Sequence, residues 1–201
     1  MNDMSKPDIN TLSAPSTALP IAYPLDDFYA QQGLALPRIE AVSGGEVPEP
    51  YRALLVHQDD MTPTLEKFHG AKLHLTVMRS QRRGDFYFRE VMLSLDGSNR
   101  PVEFGAIKMN LALFSPAARK LILEEREPLG HILRECAVAH ASRPKAYLRV
   151  ASDDFINRAL NITGTHTLYG RRNTHFDTQQ RALAEIVEIL PPETAKKESE
   201  T

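Results

Sequence analysis

The chain has 201 residues, 42% of them hydrophobic and 25% charged, which suits one globular domain and hardly leaves room for two. A formal net charge of −2 excludes the strong positive field that attracts nucleic acid, so no nucleic-acid partner is expected. The single cysteine, Cys136, excludes an intramolecular disulfide and a zinc site built on several thiolates.

The N-terminal quarter is predicted to be a flexible arm. Residues 1–50 are rich in proline, serine and acidic side chains and show no sustained periodicity. They lack the basic start and apolar run of a secretory signal, and no stretch of the chain has the roughly 20 apolar residues of a membrane span. We therefore expect a cytoplasmic protein with no membrane partner. A short helix that docks on the domain is predicted within the arm from Leu25, Phe28, Tyr29 and Leu34.

The folded body is predicted to run over residues 51–192, followed by a disordered charged tail over 193–201. Six segments have strand patterns: 73–77, 86–95, 102–111, 146–150, 166–176 and 182–190. Helical patterns occupy 51–69, 115–122, 128–133 and 153–160. Because consecutive strands without intervening helices favour antiparallel pairing, we predict an α+β fold. It would have a single antiparallel β-sheet of about five or six strands, with helices packed on one face.

An arginine lies on a strand face that otherwise has the pattern of a core. Arg89 alternates in phase with Tyr87, Val91, Leu93 and Leu95. A buried guanidinium is costly unless a carboxylate meets it, and its planar fork suits a bidentate grip on a ligand carboxylate. The alternatives are a salt bridge to Glu103 or Glu188, or a side chain that reaches solvent at the strand end.

Three glutamates share this unusual position. Glu103 lies in phase with glycine and apolar residues of the third strand, and the last strand carries Glu185 and Glu188 on opposite faces. A carboxyl on an apolar face has a raised pKa and can donate a proton near neutral pH. Pairing with an arginine is the alternative for each of them.

The densest polar cluster follows a glycine on a late strand, at Gly170-Arg171-Arg172. Neighbouring residues on a strand point to opposite faces, so only one of the two arginines can enter a given pocket, and the pattern leaves open which one. Gly170 indicates a bulge or the close approach of a ligand.

The histidines do not predict a metal site. None of the seven stands at the H-x-x-x-H or H-E-x-x-H spacing that puts two ligands on one helical face, so no metal is expected.

Five short motifs, in this order, resemble the chorismate pyruvate-lyase family over residues 51–192. The motifs are Asp59-Asp60-Met61-Thr62, Arg89-Glu90 before the turn Asp96-Gly97, Pro128-Leu129-Gly130, Gly170-Arg171-Arg172, and Glu188 just before Pro191. The resemblance implies that the antiparallel sheet and its helices enclose a buried ligand cavity.

The resemblance also implies an activity. The chain would be a cofactor-independent carbon–oxygen lyase that eliminates pyruvate from chorismate, leaving a hydroxybenzoate, with 4-hydroxybenzoate the expected isomer. Arg89 would hold a substrate carboxylate, and Glu188 would act as a protonated acid, with Glu185 as its rival. The further substrate-binding residues would be Met61, Leu129, Gly130, Arg171 and Glu103.

One departure and one alternative accompany this prediction. Ala106 stands where the family often has a second arginine, which weakens the case for a doubly charged substrate unless Arg79, Arg171 or Arg172 compensates. The same fold also serves as the small-molecule sensor domain of some bacterial transcription regulators. A non-catalytic domain that binds an aromatic acid is therefore the alternative, although residues 1–50 show no helix-turn-helix pattern. The oligomeric state is left open.

Overall fold

One antiparallel sheet organises the part of the chain that the computed structural model describes, residues 19–193. Within these residues the strands are β1 (Ile39–Val42), β2 (Leu73–Arg83), β3 (Phe86–Leu95), β4 (Pro101–Asn110), β5 (Ala141–Ala151), β6 (Thr167–Phe176) and β7 (Ala182–Leu190). The helices are α1 (Leu25–Gln31), α2 (Tyr51–Leu55), α3 (Met61–His69), α4 (Pro116–Glu124), α5 (Leu129–Glu135) and α6 (Asp154–Leu160). Residues 1–18 of the expected arm and 194–201 of the expected tail lie outside the described residues.

The sheet has seven strands in the order β1-β5-β6-β7-β4-β3-β2, and it is open at β1 and β2. The predicted α+β class with one antiparallel sheet is confirmed, but the predicted count of five or six strands is wrong. The additional strand is β1, which pairs with β5 from Ile39 opposite Val150 to Val42 opposite Tyr147. Four residues after a proline-rich stretch carry too little alternation to predict a strand, and the pairing with β5 defines it.

Helices cover both faces of the sheet, so the prediction that they pack on one face is wrong. We call the face that carries Arg89, Glu103 and Glu188 the front face, and the opposite one the back face. Helices α2 to α5 pack on the front face, in two clusters that contain Leu65 and Ile132. Helices α1 and α6 pack on the back face.

Helix α1 is held on the back face by apolar burial and one polar contact. Phe28 and Tyr29 are buried there, whereas Leu34 is exposed. The Tyr29 hydroxyl donates to the carboxylate of Asp153 at 3.0 Å, and an oxygen of the same carboxylate accepts from the backbone N–H of Ile156 at 2.8 Å. Because that second contact caps the N-terminus of α6, one carboxylate joins the two back-face helices. Among residues 19–193 no helix is long and apolar enough to cross a membrane.

Candidate functional site

A pocket opens on the front face between the sheet and the N-terminal ends of α3 and α5. Its atom-free space is about 500 Å³, a figure that includes space open to solvent. Six of the seven predicted site residues line it, namely Met61, Arg89, Glu103, Leu129, Gly130 and Glu188. The complete enclosure of a buried cavity remains a prediction.

Strand register brings the charged residues together. Arg89 is opposite Ile107 and Leu93 is opposite Glu103, so β3 and β4 present the arginine and the glutamate on the same face. Glu188 of β7 is opposite Gly105 of β4. A Cβ at Gly105 would lie 2.7 Å from the carbonyl oxygen of Val187, so glycine allows β4 and β7 to approach at the pocket floor.

The helix ends that cover the pocket meet at a second glycine. Gly130, at the start of α5, lies against Thr62 at the start of α3, where a Cβ would come within 2.8 Å of the threonine Oγ1. This contact brings Met61 and Leu129 over the sheet as apolar walls. The short motifs around these residues therefore mark the place where two helix ends converge.

Among the described residues, Arg89 is buried without a counter-ion in contact. The residue is 2% exposed, and its Nη2 atom donates a 3.5 Å hydrogen bond to the carbonyl oxygen of Glu127. Within residues 19–193, its Nε and Nη1 atoms have no hydrogen-bond partner. Burial lowers the Arg89 pKa to about 10, with Tyr87 and Glu125 opposing the shift, so the guanidinium stays charged at neutral pH.

Glu103 is the carboxyl with the strongest tendency to be protonated. Burial raises its pKa well above the ordinary range, the nearby Glu188 carboxylate adds to the shift, and Arg171 opposes it. Its Oε2 atom has no hydrogen-bond partner in the described part of the chain. Burial therefore favours the protonated form of this carboxyl, which can donate a hydrogen bond.

Glu188 and Arg171 neutralise each other on the front face. The arginine Nε lies 2.5 Å from Oε2 of Glu188, and the remaining guanidinium nitrogens donate to the carbonyl oxygens of His57 at 3.3 Å and Asp59 at 3.1 Å. The guanidinium of Arg171 is thus engaged by protein groups, unlike that of Arg89. Arg171 connects the loop before α3 to the sheet through these hydrogen bonds, and its guanidinium is not available to bind a ligand.

The alternative pair lies on the back face. Arg172 donates to Glu185 at 3.2 Å, and Thr174 donates to the same carboxylate at 2.8 Å. Of the two alternatives that the sequence left open, the structure therefore brings Glu188 and Arg171 to the front face. Gly170 lies on the back face in close approach to the backbone of Glu188, so its missing side chain makes room for a neighbouring strand rather than a ligand.

Asp60, His140 and His175 form a second polar group at the pocket, which the sequence analysis did not predict. Asp60 and His175 line the pocket, and one candidate ligand atom from each of the three residues lies within 4.8 Å of the other two. Burial lowers the pKa of His175 to about 4. The residues come from the loop before α3, the residue before β5, and β6, so no spacing in the sequence indicates that they meet.

Comparison with known proteins shows a shared fold but no family. No protein-family model matches the chain, and no curated protein sequence matches it significantly. Among solved structures, the effector domain of PhnF from Mycobacterium smegmatis is similar at 13% identity, over 65% of this chain and 87% of that one, with a TM-score of 0.50. A structure of PhnF from the same organism is similar at 11% identity, over 85% and 93% of the two chains, with a TM-score of 0.51.

A further neighbour is the ligand-binding domain of a protein assigned to the GntR family of transcriptional regulators, from Bordetella bronchiseptica. It has 14% identity over 59% of this chain and 85% of that one, with a TM-score of 0.47. At these identities the likeness is one of fold.

The predicted chorismate pyruvate-lyase activity is corrected by these findings. One of the two PhnF structures is described as an effector domain and neither is described as a lyase, so the predictions of an enzyme, of a carbon–oxygen lyase and of a role in aromatic biosynthesis are wrong. The site agrees with the correction. The lyase prediction assigned Glu188 as a protonated acid, whereas in the structure Glu188 forms an ion pair with Arg171. The short motifs that suggested the lyase family mark the framework of the pocket.

Proposed function

We propose that this chain is a small-molecule-binding domain of the sensor type, and that its front pocket takes a small organic acid with a flat apolar body, such as an aromatic carboxylate. One observation carries the proposal: Arg89 is a buried, charged guanidinium with two nitrogens that no described protein group satisfies. Burying an arginine in this way is costly, and a ligand carboxylate would remove that cost.

The polar groups suit one carboxylate better than two. Arg89 supplies the guanidinium fork, whereas Arg171 is already engaged by Glu188 and two carbonyl oxygens. Burial raises the pKa of Glu103 and so favours its protonated form, which would donate a hydrogen bond to a ligand oxygen without repelling an anion. The pocket therefore favours a monoanion, in agreement with Ala106 at the position where a second arginine was expected.

The apolar lining accounts for the body of the ligand. The walls come from Met61 and Leu129 on the helix side, and from Val91, Ile107 and Ile186 on the sheet. Helix residues and sheet residues thus form apolar walls on opposite sides of the pocket, between which the flat body of the proposed ligand would lie. The fold shared with the PhnF effector domain supports ligand binding as the role of this domain. A cytoplasmic location remains a prediction.

The experiment compares benzoate with benzamide by isothermal titration calorimetry on wild type, Arg89→Gln and Arg82→Gln. Arg82 is an exposed arginine of β2, close in the sequence to Arg89 of β3, and serves as the matched control. We expect benzoate to bind wild type and Arg82→Gln alike, and to bind Arg89→Gln roughly 10- to 100-fold more weakly, as the loss of a charge-assisted contact requires. The preference for acid over amide should vanish in Arg89→Gln.

Chromatography after incubation should recover benzoate unchanged. Benzoate binding that is equally strong in Arg89→Gln would contradict the assigned anion site. An absence of binding by aromatic and aliphatic monocarboxylates alike would overturn the proposed ligand class.

A further inference from the structure

The cluster of Asp60, His140 and His175 has the composition of a metal site. It offers one carboxylate and two imidazoles, a set that suits divalent transition metals. The Asp60 Oδ1 atom lies 3.0 Å from Nε2 of His140 and 3.6 Å from Nε2 of His175. When a metal ion lies 2.0–2.2 Å from each ligand atom, neighbouring ligand atoms are about 2.9–3.6 Å apart. This range corresponds to ligand–metal–ligand angles from about 90° (octahedral) to about 120° (trigonal). Two edges of the triangle therefore have the separations of a coordination sphere.

The third edge joins the two imidazoles. Their rings are 5.0 Å apart between centroids and tilted by 32°, with the ligand atoms no more than 4.8 Å apart. His140 is partly exposed and directly precedes β5, and a bound ion would have to draw its ring towards His175 to close this edge. The same partial exposure gives an ion a route into the cluster.

The hydrogen bonds of His140 match those of a metal ligand. Its Nδ1 lies 2.9 Å from the carbonyl oxygen of Val138, which can only accept, so Nδ1 carries a hydrogen. Its Nε2 faces both carboxylate oxygens of Asp60 at 3.0 Å. That arrangement requires either a second proton on the ring or a cation between the groups. A backbone carbonyl that accepts from the far nitrogen is the usual support of a histidine bound to a metal.

His175 provides the second, independent observation. Its side chain is 4% exposed, yet in the described range 19–193 neither ring nitrogen has a hydrogen-bond partner. An imidazole buried in this state has unmet polar atoms that cost free energy, and one of them, Nε2, is directed at Asp60. A metal ion would satisfy that nitrogen.

We propose that Asp60, His140 and His175 bind one divalent transition-metal ion at the wall of the front pocket, and that the ion keeps at least one coordination position open to the pocket. Three protein ligands leave a fourth position for water or a ligand atom. Asp60 and His175 both line the pocket, so this position faces the space in which a ligand would lie. The charge of Arg171 acts on Asp60 and His175, but Glu188 compensates it, so Arg171 does not leave the site with an excess of positive charge. The metal site does not depend on anion binding at Arg89.

The test uses the full chain, stripped of metal with a chelator and titrated with ZnCl₂ by isothermal titration calorimetry. We expect one Zn²⁺ per chain for wild type, and a loss of affinity of roughly 100-fold or more in Asp60→Asn and in His140→Ala. His74→Ala is the matched control, because His74 also contacts an aspartate, Asp96, at 2.8 Å, but on the surface. The titrations are repeated in a Cys136→Ser background, since a free thiolate also binds zinc.

Thermal unfolding separates loss of the site from loss of the fold. Zn²⁺ should raise the unfolding midpoint of wild type, His74→Ala and Arg89→Gln, but not that of His140→Ala, which is expected to fold because its side chain is partly exposed. Unchanged zinc affinity in both Asp60→Asn and His140→Ala would overturn the proposal, as would the absence of one-to-one binding by folded wild type. Zinc binding by Arg89→Gln would show that the metal site does not depend on the proposed carboxylate site, so the two proposals are tested separately.

Discussion

Arg171 of β6 and Glu188 of β7 are directly opposite each other, and the arginine Nε lies 2.5 Å from the glutamate carboxylate. Both side chains are buried. The same guanidinium reaches two carbonyl oxygens of the loop before α3. One ion pair therefore fixes the register of two central strands and the position of a pocket-lining loop. Among the described residues, Arg171 near the pocket is thus engaged by protein groups, whereas the Nε and Nη1 atoms of Arg89 have no hydrogen-bond partner.

Breaking this pair should destabilise the fold strongly. Glu188→Gln leaves the buried Arg171 guanidinium without its counter-charge, and we expect the free energy of unfolding to fall by about 3–5 kcal/mol. The double variant Arg171→Met/Glu188→Met should lose less than the sum of the two single variants. Urea unfolding, followed by circular dichroism, measures the free energy of unfolding of each variant. The control is Lys120→Gln, which breaks the exposed ion pair with Glu124 and should change this free energy by less than about 1 kcal/mol. Additive losses would show that the two residues do not act as a pair.

Removing the unpaired arginine should have the opposite effect. Among the described residues the buried Arg89 guanidinium has no counter-ion in contact. Arg89→Met replaces it by an unbranched apolar side chain, so we expect the ligand-free domain to become more stable by about 1–3 kcal/mol. Benzoate binding should be lost in the same variant. Chemical unfolding without ligand, compared with the titration above, tests both parts. A destabilised Arg89→Met would mean that the arginine serves the fold.

Glu90 predicts a dependence of stability on pH. It lies buried on the back face, and burial raises its pKa to about 7, with Arg79 opposing. The folded state therefore holds this proton more tightly than the unfolded state, so its stabilising contribution is present below about pH 4.5 and is lost as pH rises towards 7. Glu90→Gln should match wild type near pH 4.5 and exceed it in stability at pH 7.

The control for that experiment is Glu46→Gln. Hydrogen bonds from Ser43 lower the pKa of Glu46, so its contribution has the opposite sign and is lost as pH falls. Urea unfolding at intervals from about pH 3 to about pH 7.5 covers both profiles, because the contribution of Glu46 is lost below its ordinary pKa and that of Glu90 above it. An unchanged difference between Glu90→Gln and wild type across this range would contradict the assignment.

Phe28 tests whether the region expected to be a flexible arm is part of the folded unit. Its side chain is buried in the back-face cluster with α6, so Phe28→Ala should cost about 3–5 kcal/mol. The exposed Leu34, six residues further on, is the matched control, and Leu34→Ala should change stability by less than about 0.5 kcal/mol. Similar small losses in both variants would favour a weakly attached arm.

Most of the sheet was predictable because the alternation of residues in a strand is a local property. The period of two assigned Arg89, Glu103 and Glu188 each to an apolar face, and the structure shows all three on the same side of the sheet. The pattern could not decide between Glu188 and Glu185, or between Arg171 and Arg172, because each pair is divided between faces whichever way the strands lie. Register with β4 decided that question, through the pairing of Glu188 with Gly105.

The sequence alone determined the class of the fold and the strands that carry the charged residues, since these follow from hydrophobic periodicity and turn chemistry within short segments. The motifs that frame the pocket were found through their resemblance to a known family. Tertiary structure decided the rest. It added β1 through its pairing with β5, placed helices on both faces, and showed that Arg89 lacks a counter-ion in contact while Arg171 has one. It also brought Asp60, His140 and His175 together. Each of these outcomes depends on contacts between residues far apart in the chain, and such contacts leave no local pattern to read.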